Sequence, residues 1–276
     1  RLPAFASSLV VKLLDENVSP GEVSEMVKED PALVALVLKT VNSPFYGFKK
    51  SISDIHHAIV LLGFNEVYQL VVAEGVSRTM PDTPIYRQLQ MHSLAVSHLA
   101  FAVSQESGLS RPAQAATVGL LHELGRSIIR LLKDKNPNLA MLLDGLDPAQ
   151  IGALLLKEWN LPEVVWRCIE YQFHPEFSPP TLIPPDIRDS VAVIYLSHLC
   201  HDRLRERPYS SLPTVFLDDY KKVLGWEGLS LDDVIQKRLL PSLTKKINTF
   251  PASFRSLIKK GTTPVKAAAA ADGAVL

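Results

Sequence analysis

Cysteine is scarce in this chain. Two occur among 276 residues, Cys168 and Cys200, too far apart to form a zinc-binding pair. A disulfide framework is excluded, and the pair suits a reducing compartment where cysteine is a small core residue, so the expected location is cytoplasmic. Neither sign of charge is in excess: 29 Lys and Arg balance 29 Asp and Glu. This removes any global electrostatic case for a nucleic-acid or anionic-membrane partner, and neither is expected. The lysine pairs Lys49-Lys50, Lys221-Lys222, Lys245-Lys246 and Lys259-Lys260 are short and scattered, as solvated helix ends are. Aromatic residues are few and do not interleave with those pairs. No apolar run is long enough to span a bilayer, and the first residues lack a signal-peptide pattern. An initiator Met is missing, so Arg1 is not taken as the natural start. There is no Gly-rich phosphate loop, no nucleophile elbow and no repeat of fixed period.

Helix signals dominate what is present. The length and a 47% hydrophobic composition allow one large domain, or a large one with a small one. Ser19-Pro20-Gly21-Glu22 reads as a capping box with Pro20 leading a helix to about Lys28. Asp30-Pro31 repeats the device, and Leu33, Leu36, Val37 and Val41 mark one face. Pro44 and Gly47 stop that helix. Ser53 is the expected cap of a helix through Leu62, and Asn65 of one to about Ser77. After Pro81 and Pro84 a long helix is expected from Ile85 to Ser107, with the stripe Leu89, His92, Val96, Leu99 and Val103. Pro112 opens the next, facing inward with Ala115, Val118, Gly119 and His122. A bend is expected at Gly125, then a helix to about Leu132. Further helices are expected from Asn136-Pro137, from Asp147-Pro148 to Trp159, from Leu161-Pro162 to near Phe173, and from Ile187 to about Arg205. The last carries the stripe Ile187, Val191, Ile194 and His198. Pro208 to Pro213 reads as a linker before helices over Thr214–Leu224 and Leu231–Phe250, and Ala267 to Ala271 as a frayed end.

The residues able to carry chemistry sit within this helical pattern. His92, His122 and His198 each lie on the apolar stripe of a different helix, Glu123 follows the second, and His174 closes a fourth helix. Imidazoles and a carboxylate from several packed helices make a site for a first-row metal ion. Equally, each histidine could be a core residue bonded to a backbone carbonyl, and Glu123 could pair with Arg126. The residues leave both alternatives open. His56, His57, His98 and His201 have no comparable placement and read as ordinary.

Several motifs together carry a family likeness. Glu29 to Gly47 (EDPALVALVLKTVNSPFYG) and Ser51 to Gly63 (SISDIHHAIVLLG) resemble successive signatures of the HDOD family, the HD-related output domains. Leu2-Pro-Ala-Phe, His92-Ser-Leu-Ala, Gly119-Leu-Leu-His-Glu-Leu-Gly125 and Ile151 to Pro162 are similar to its other motifs, in the family's order. The likeness covers roughly Leu2 to Arg205. It implies an all-α fold in two lobes, an N-terminal helical lobe over 1–80 and an HD-like lobe over 81–207, with a helical extension over 208–276.

The HD-like lobe is related by this resemblance to metal-dependent phosphohydrolases, whose ligands are a His, a His-Asp pair and a late Asp. Those positions fall on His92, on His122-Glu123, and near His198, while His174 lies where HD-GYP phosphodiesterases place an extra His. Glu for Asp at 123 and His for Asp at 198 leave a less negative site. No Gly-Tyr-Pro motif follows His174, which disfavours cyclic-dinucleotide cleavage. The expected function is therefore a non-catalytic regulatory domain of bacterial signalling, acting on regulatory or signalling proteins. Its degenerate metal site could still hold iron, zinc or manganese. The alternative is a metal-dependent phosphohydrolase of a nucleotide or phosphate ester.

Overall fold

The structure is a computed structural model, and it describes residues 8–9, 12–13, 15, 17–43, 46, 48, 51–78, 80–109, 111–159, 161–205, 215–245, 247, 250 and 252–262. Among these the chain is helical and contains no strand, so the all-α expectation holds. The Leu2–Phe5 motif, Pro44, Phe45, Gly47, the Pro208–Pro213 linker and the Ala267–Ala271 run lie outside the described residues.

Caps and prolines set the first helices locally. Ser19 caps α1 (Pro20–Lys28) in a full capping box: its hydroxyl accepts from the Glu22 N–H, and the Glu22 carboxylate accepts from the Ser19 N–H. Asp30 caps α2 (Pro31–Val41) by accepting from the N–H groups of Ala32 and Leu33. The same carboxylate pairs with Arg78 at 2.7 Å, which joins the start of α2 to the end of α4 (Phe64–Ser77). Between them lies α3 (Ile55–Leu62), and here the expectation for Ser53 is corrected. Asp54 is the cap, accepting from the His57 N–H at 2.6 Å. Asn65 is not a cap either, because Gly63, at φ +78°, ends α3 and α4 opens one residue later. Replacing Asp54 with Ala is expected to cost about 1 kcal/mol in urea unfolding, and Ser53→Ala much less. Equal losses would contradict this assignment.

The helices that hold the site come next. The 24-residue α5 (Pro84–Ser107) is closed by Gly108 at φ +70°, and α6 (Pro112–Leu121) lies along it. Their backbones approach closely because Gly119 has no side chain: an added Cβ would lie 2.8 Å from Ser97 Cα. The Ser97 hydroxyl, buried in the same contact, donates to Ala116 O at 2.7 Å. The chain then turns at His122 and Glu123 into α7 (Leu124–Lys135), not at Gly125 as expected. Gly125 stands inside the first turn of α7, where α9 (Pro148–Glu158) crosses. An added Cβ there would overlap Pro148 O and lie 2.7 Å from Gly152 N. Its role is close packing, not bending.

A short α8 (Ala140–Leu143) precedes α9, and α10 (Glu163–Glu170) ends three residues before Phe173. Helix α11 (Arg188–Leu204) buries Val191 and Ile194 completely, as does its cap residue Ile187, in line with the expected stripe. Beyond Arg205 the described chain resumes at Val215 and forms α12 (Leu217–Val223). The expected helix over Leu231–Phe250 is shorter and interrupted. It consists of α13 (Leu231–Asp233), a π turn (Val234–Leu239) and α14 (Leu240–Lys245). Pro241 accounts for the interruption, since it cannot donate to the carbonyl four residues back and its ring crowds that carbonyl. Finally α15 (Ala252–Thr262) buries Phe254 and Ile258 against α11 and α14. One apolar cluster runs through the whole, from Leu9 to Ile258. Among the described residues no single helix is long and apolar enough to cross a membrane.

Candidate metal centre

Three helices deliver three imidazoles to one point. His92 comes from α5, His122 from the turn after α6, and His198 from α11. One ring nitrogen from each lies within 4.8 Å of the others. The rings of His122 and His198 stand edge to face, with centroids 4.4 Å apart. His122 Nδ1 faces Gly119 O at 2.6 Å. In the tautomer that donates to this carbonyl, Nε2 carries the lone pair that a metal would take. That Nε2 lies 3.2 Å from His92 Nε2. Two nitrogens about 2.1 Å from a tetrahedral ion sit about 3.4 Å apart, so the spacing suits a shared dication. The buried Nε2 of His198 has no hydrogen-bond partner, which a metal bond would supply.

Glu123 lies beside this cluster and is itself only 5% exposed. Its Oε1 is 3.4 Å from His122 Nε2, 3.8 Å from His92 Nε2 and 3.0 Å from Arg126. Burial by itself would raise the carboxyl, but His122, Arg126 and His92 hold it down at about 2. The position at the start of α7 favours the anion as well. Desolvation lowers the imidazoles instead. His92 falls to about 3, with the neighbouring His122 and His201 adding to the effect. His198 is pushed well below the ordinary range by burial and by His122 and His92. Both are neutral imidazoles at pH 7, the form that ligates metals.

Gln172 fastens the turn by donating to His122 O at 3.2 Å. His174, expected as a further ligand, is not in the group of converging donors. Because α10 ends at Glu170, a turn carries His174 to an exposed position, where its ring packs 4.4 Å from Tyr171. His201, which the sequence gives no reason to single out, belongs to the neighbourhood. It is 2% exposed, and its ring centroid is 4.5 Å from that of His92. Its place three residues after His198, on the same face of α11, is a signal only once His198 is placed.

Three histidines with an adjacent carboxylate can thus hold a metal ion, and the comparisons with known proteins agree with that scaffold. An HDOD domain protein of unknown function from Geobacter sulfurreducens matches at a TM-score of 0.64 and 22% identity, covering 96% of this chain and 93% of that one. A protein of Shewanella amazonensis SB2B, named as a candidate phosphohydrolase, matches at a TM-score of 0.64 and 22% identity, over 94% of each chain. At such identities the likeness shows a shared fold. An uncharacterized protein of Treponema pallidum (strain Nichols) is 25% identical over 238 residues, which are 80% of this chain and 46% of that protein. The chain therefore spans about half the length of this relative. The HDOD domain model matches residues 1–175, which takes in His92, His122, Glu123 and His174 and stops short of His198. With that match over more than half its length, and a two-histidine core inside it, this chain belongs to the HDOD family.

Proposed function

We propose that this chain is a non-catalytic regulatory domain, acting in the cytoplasm of a bacterium by binding signalling proteins. Its histidine cluster holds a divalent iron, zinc or manganese ion that ties α5, α6 and α11 together. The observation that carries this reading is the state of Glu123. Its Oε1 accepts from Arg126 and lies 3.4 Å from His122 Nε2, and burial keeps His92 and His198 neutral. Such a site binds a dication but offers little negative charge to gather further ions around a phosphoryl group. On the first lobe, Phe48 is 42% exposed and lies parallel to Tyr46 with centroids 6.2 Å apart. It supplies an aromatic contact for a partner.

One observation favours the second reading, a metal-dependent phosphohydrolase. A cleft of ≈ 590 Å³ reaches His92 and His201, with Arg87, Arg205 and Lys260 along it, and a phosphate ester would suit those cations. A bound ion would there supply Lewis-acid polarisation and a more acidic water.

Elemental analysis of wild type and His122→Ala, run beside assays with p-nitrophenyl phosphate and nucleotides in added Fe²⁺, Zn²⁺ or Mn²⁺, decides between them. Near-stoichiometric metal in wild type, little in the variant and no turnover by either is the expected result. Metal-dependent turnover that vanishes in His122→Ala would establish the hydrolase instead.

A further inference from the structure

The first helices and the HD-like helices do not close fully on one another. A cleft of ≈ 290 Å³ remains between α2 and α4 on one side and α5, α6 and α7 on the other. Protein interiors are otherwise close-packed. Here Leu36, Leu70 and Met80 face Leu94, Leu120 and Leu124 across open space, and all but Leu124 stay partly accessible. The volume is near the lower end of the roughly 300–1,000 Å³ usual for small-molecule pockets. A helix, about 10 Å across, does not fit.

Two carboxylates line the cleft, Glu74 and Glu123. Glu74 is held by Arg78 at 2.9 Å. Glu123 is different: Oε1 accepts from Arg126 and lies 3.4 Å from His122 Nε2, while Oε2 is buried without any hydrogen-bond partner. A buried carboxylate oxygen left unpaired costs stability, and a donor that reached it would recover that loss. Ser93 and Ser127, also on the wall, can orient a second polar group.

We infer that this cleft is a small-molecule effector site that adjoins the histidine cluster at Glu123. It takes a compact, mostly apolar molecule with one primary ammonium head directed at Glu123. The apolar walls contribute affinity through the burial of area, and the carboxylate selects the sign of the head group. Because α2 and α4 form one wall and α5 to α7 the other, an occupant would bridge the two groups of helices and favour their present arrangement.

The test uses 2-phenylethylamine and its shape-matched anion, 3-phenylpropionate, titrated by calorimetry into protein stripped with EDTA. The amine is expected to bind, and the anion at least tenfold more weakly. Ala73→Phe and Ser93→Leu fill the cleft from opposite walls, and each is expected to weaken the amine tenfold or more. Melting curves identify which variants are folded, and either one suffices. No binding of the amine at millimolar concentration, equal binding of the anion, or unchanged binding in a folded, filled variant would overturn the inference. Since the protein is metal-free in this experiment, its failure leaves the metal reading intact, and loss of metal in His122→Ala does not bear on the cleft.

Discussion

Metal-free protein is expected to lose up to about 3 kcal/mol of unfolding free energy for each buried histidine between pH 7 and pH 4. Three histidines drive the loss. Burial lowers His92 to about 3 and His98 to about 4, and pushes His198 well below its ordinary value. His98 is a separate case from the cluster: its ring lies against Phe250 and Phe254, with centroids 4.9 and 5.1 Å away. In the unfolded chain each imidazole takes a proton near pH 6.5, while the folded protein keeps all three neutral. The unfolded state therefore binds more protons throughout the window below about pH 6.5, and stability falls as pH falls. Glu123 adds its share lower down. Its carboxyl, held at about 2 in the fold, contributes above its unfolded value and loses that contribution as pH drops toward 2. Urea unfolding at pH 7, 5.5 and 4 measures the slope, and His198→Leu should flatten it. A flat wild-type profile would show that the imidazoles are not held neutral by burial. In metal-loaded protein the same protons compete with the ion, so metal release should occupy the same window.

Gly125→Ala is expected to be among the most damaging single methyl additions in the chain, costing more than about 3 kcal/mol or preventing folding. The obstacle is backbone: the new Cβ meets Pro148 O and Gly152 N, and neither can rotate away. Relief requires α7 to back off α9. Since α7 begins at Leu124, directly after His122 and Glu123, the retreat would pull both residues from His92 and His198. Weakened metal retention should therefore accompany the lost stability. Gly145→Ala is the control. Its Cβ would stand 3.5 Å from Leu142 O, ordinary contact, and the variant should melt close to wild type. Similar melting points for the two variants would refute the packing role of Gly125.

Much of this was legible in the sequence, for reasons that can be named residue by residue. Ser19 with Glu22, Asp30 with Pro31, and Pro84 with Gly108 mark helix ends because each acts within one turn of itself. The stripes that placed His92, His122 and His198 inward follow from helical periodicity, which needs no knowledge of neighbouring helices. Asp54 over Ser53 as a cap was a choice between adjacent candidates that spacing alone does not resolve. The π turn had a signal in Pro241, inside the run expected to be regular.

The sequence by itself determined an all-α chain, its helix boundaries to within a few residues, and the three histidines that face inward. Tertiary structure alone decided which of the remaining polar groups join them. Local hydrogen bonds and periodicity are settled within about four residues, whereas convergence depends on how whole helices cross. The early end of α10 sends His174 outward, and the turn of α11 beside α5 brings His201 against His92. The crossing of α7 and α9 gives Gly125 its purpose, and Gln172 reaches His122 O across 50 positions of chain. The cleft at Glu123 is equally a product of that crossing geometry, because it exists only where two groups of helices fail to meet.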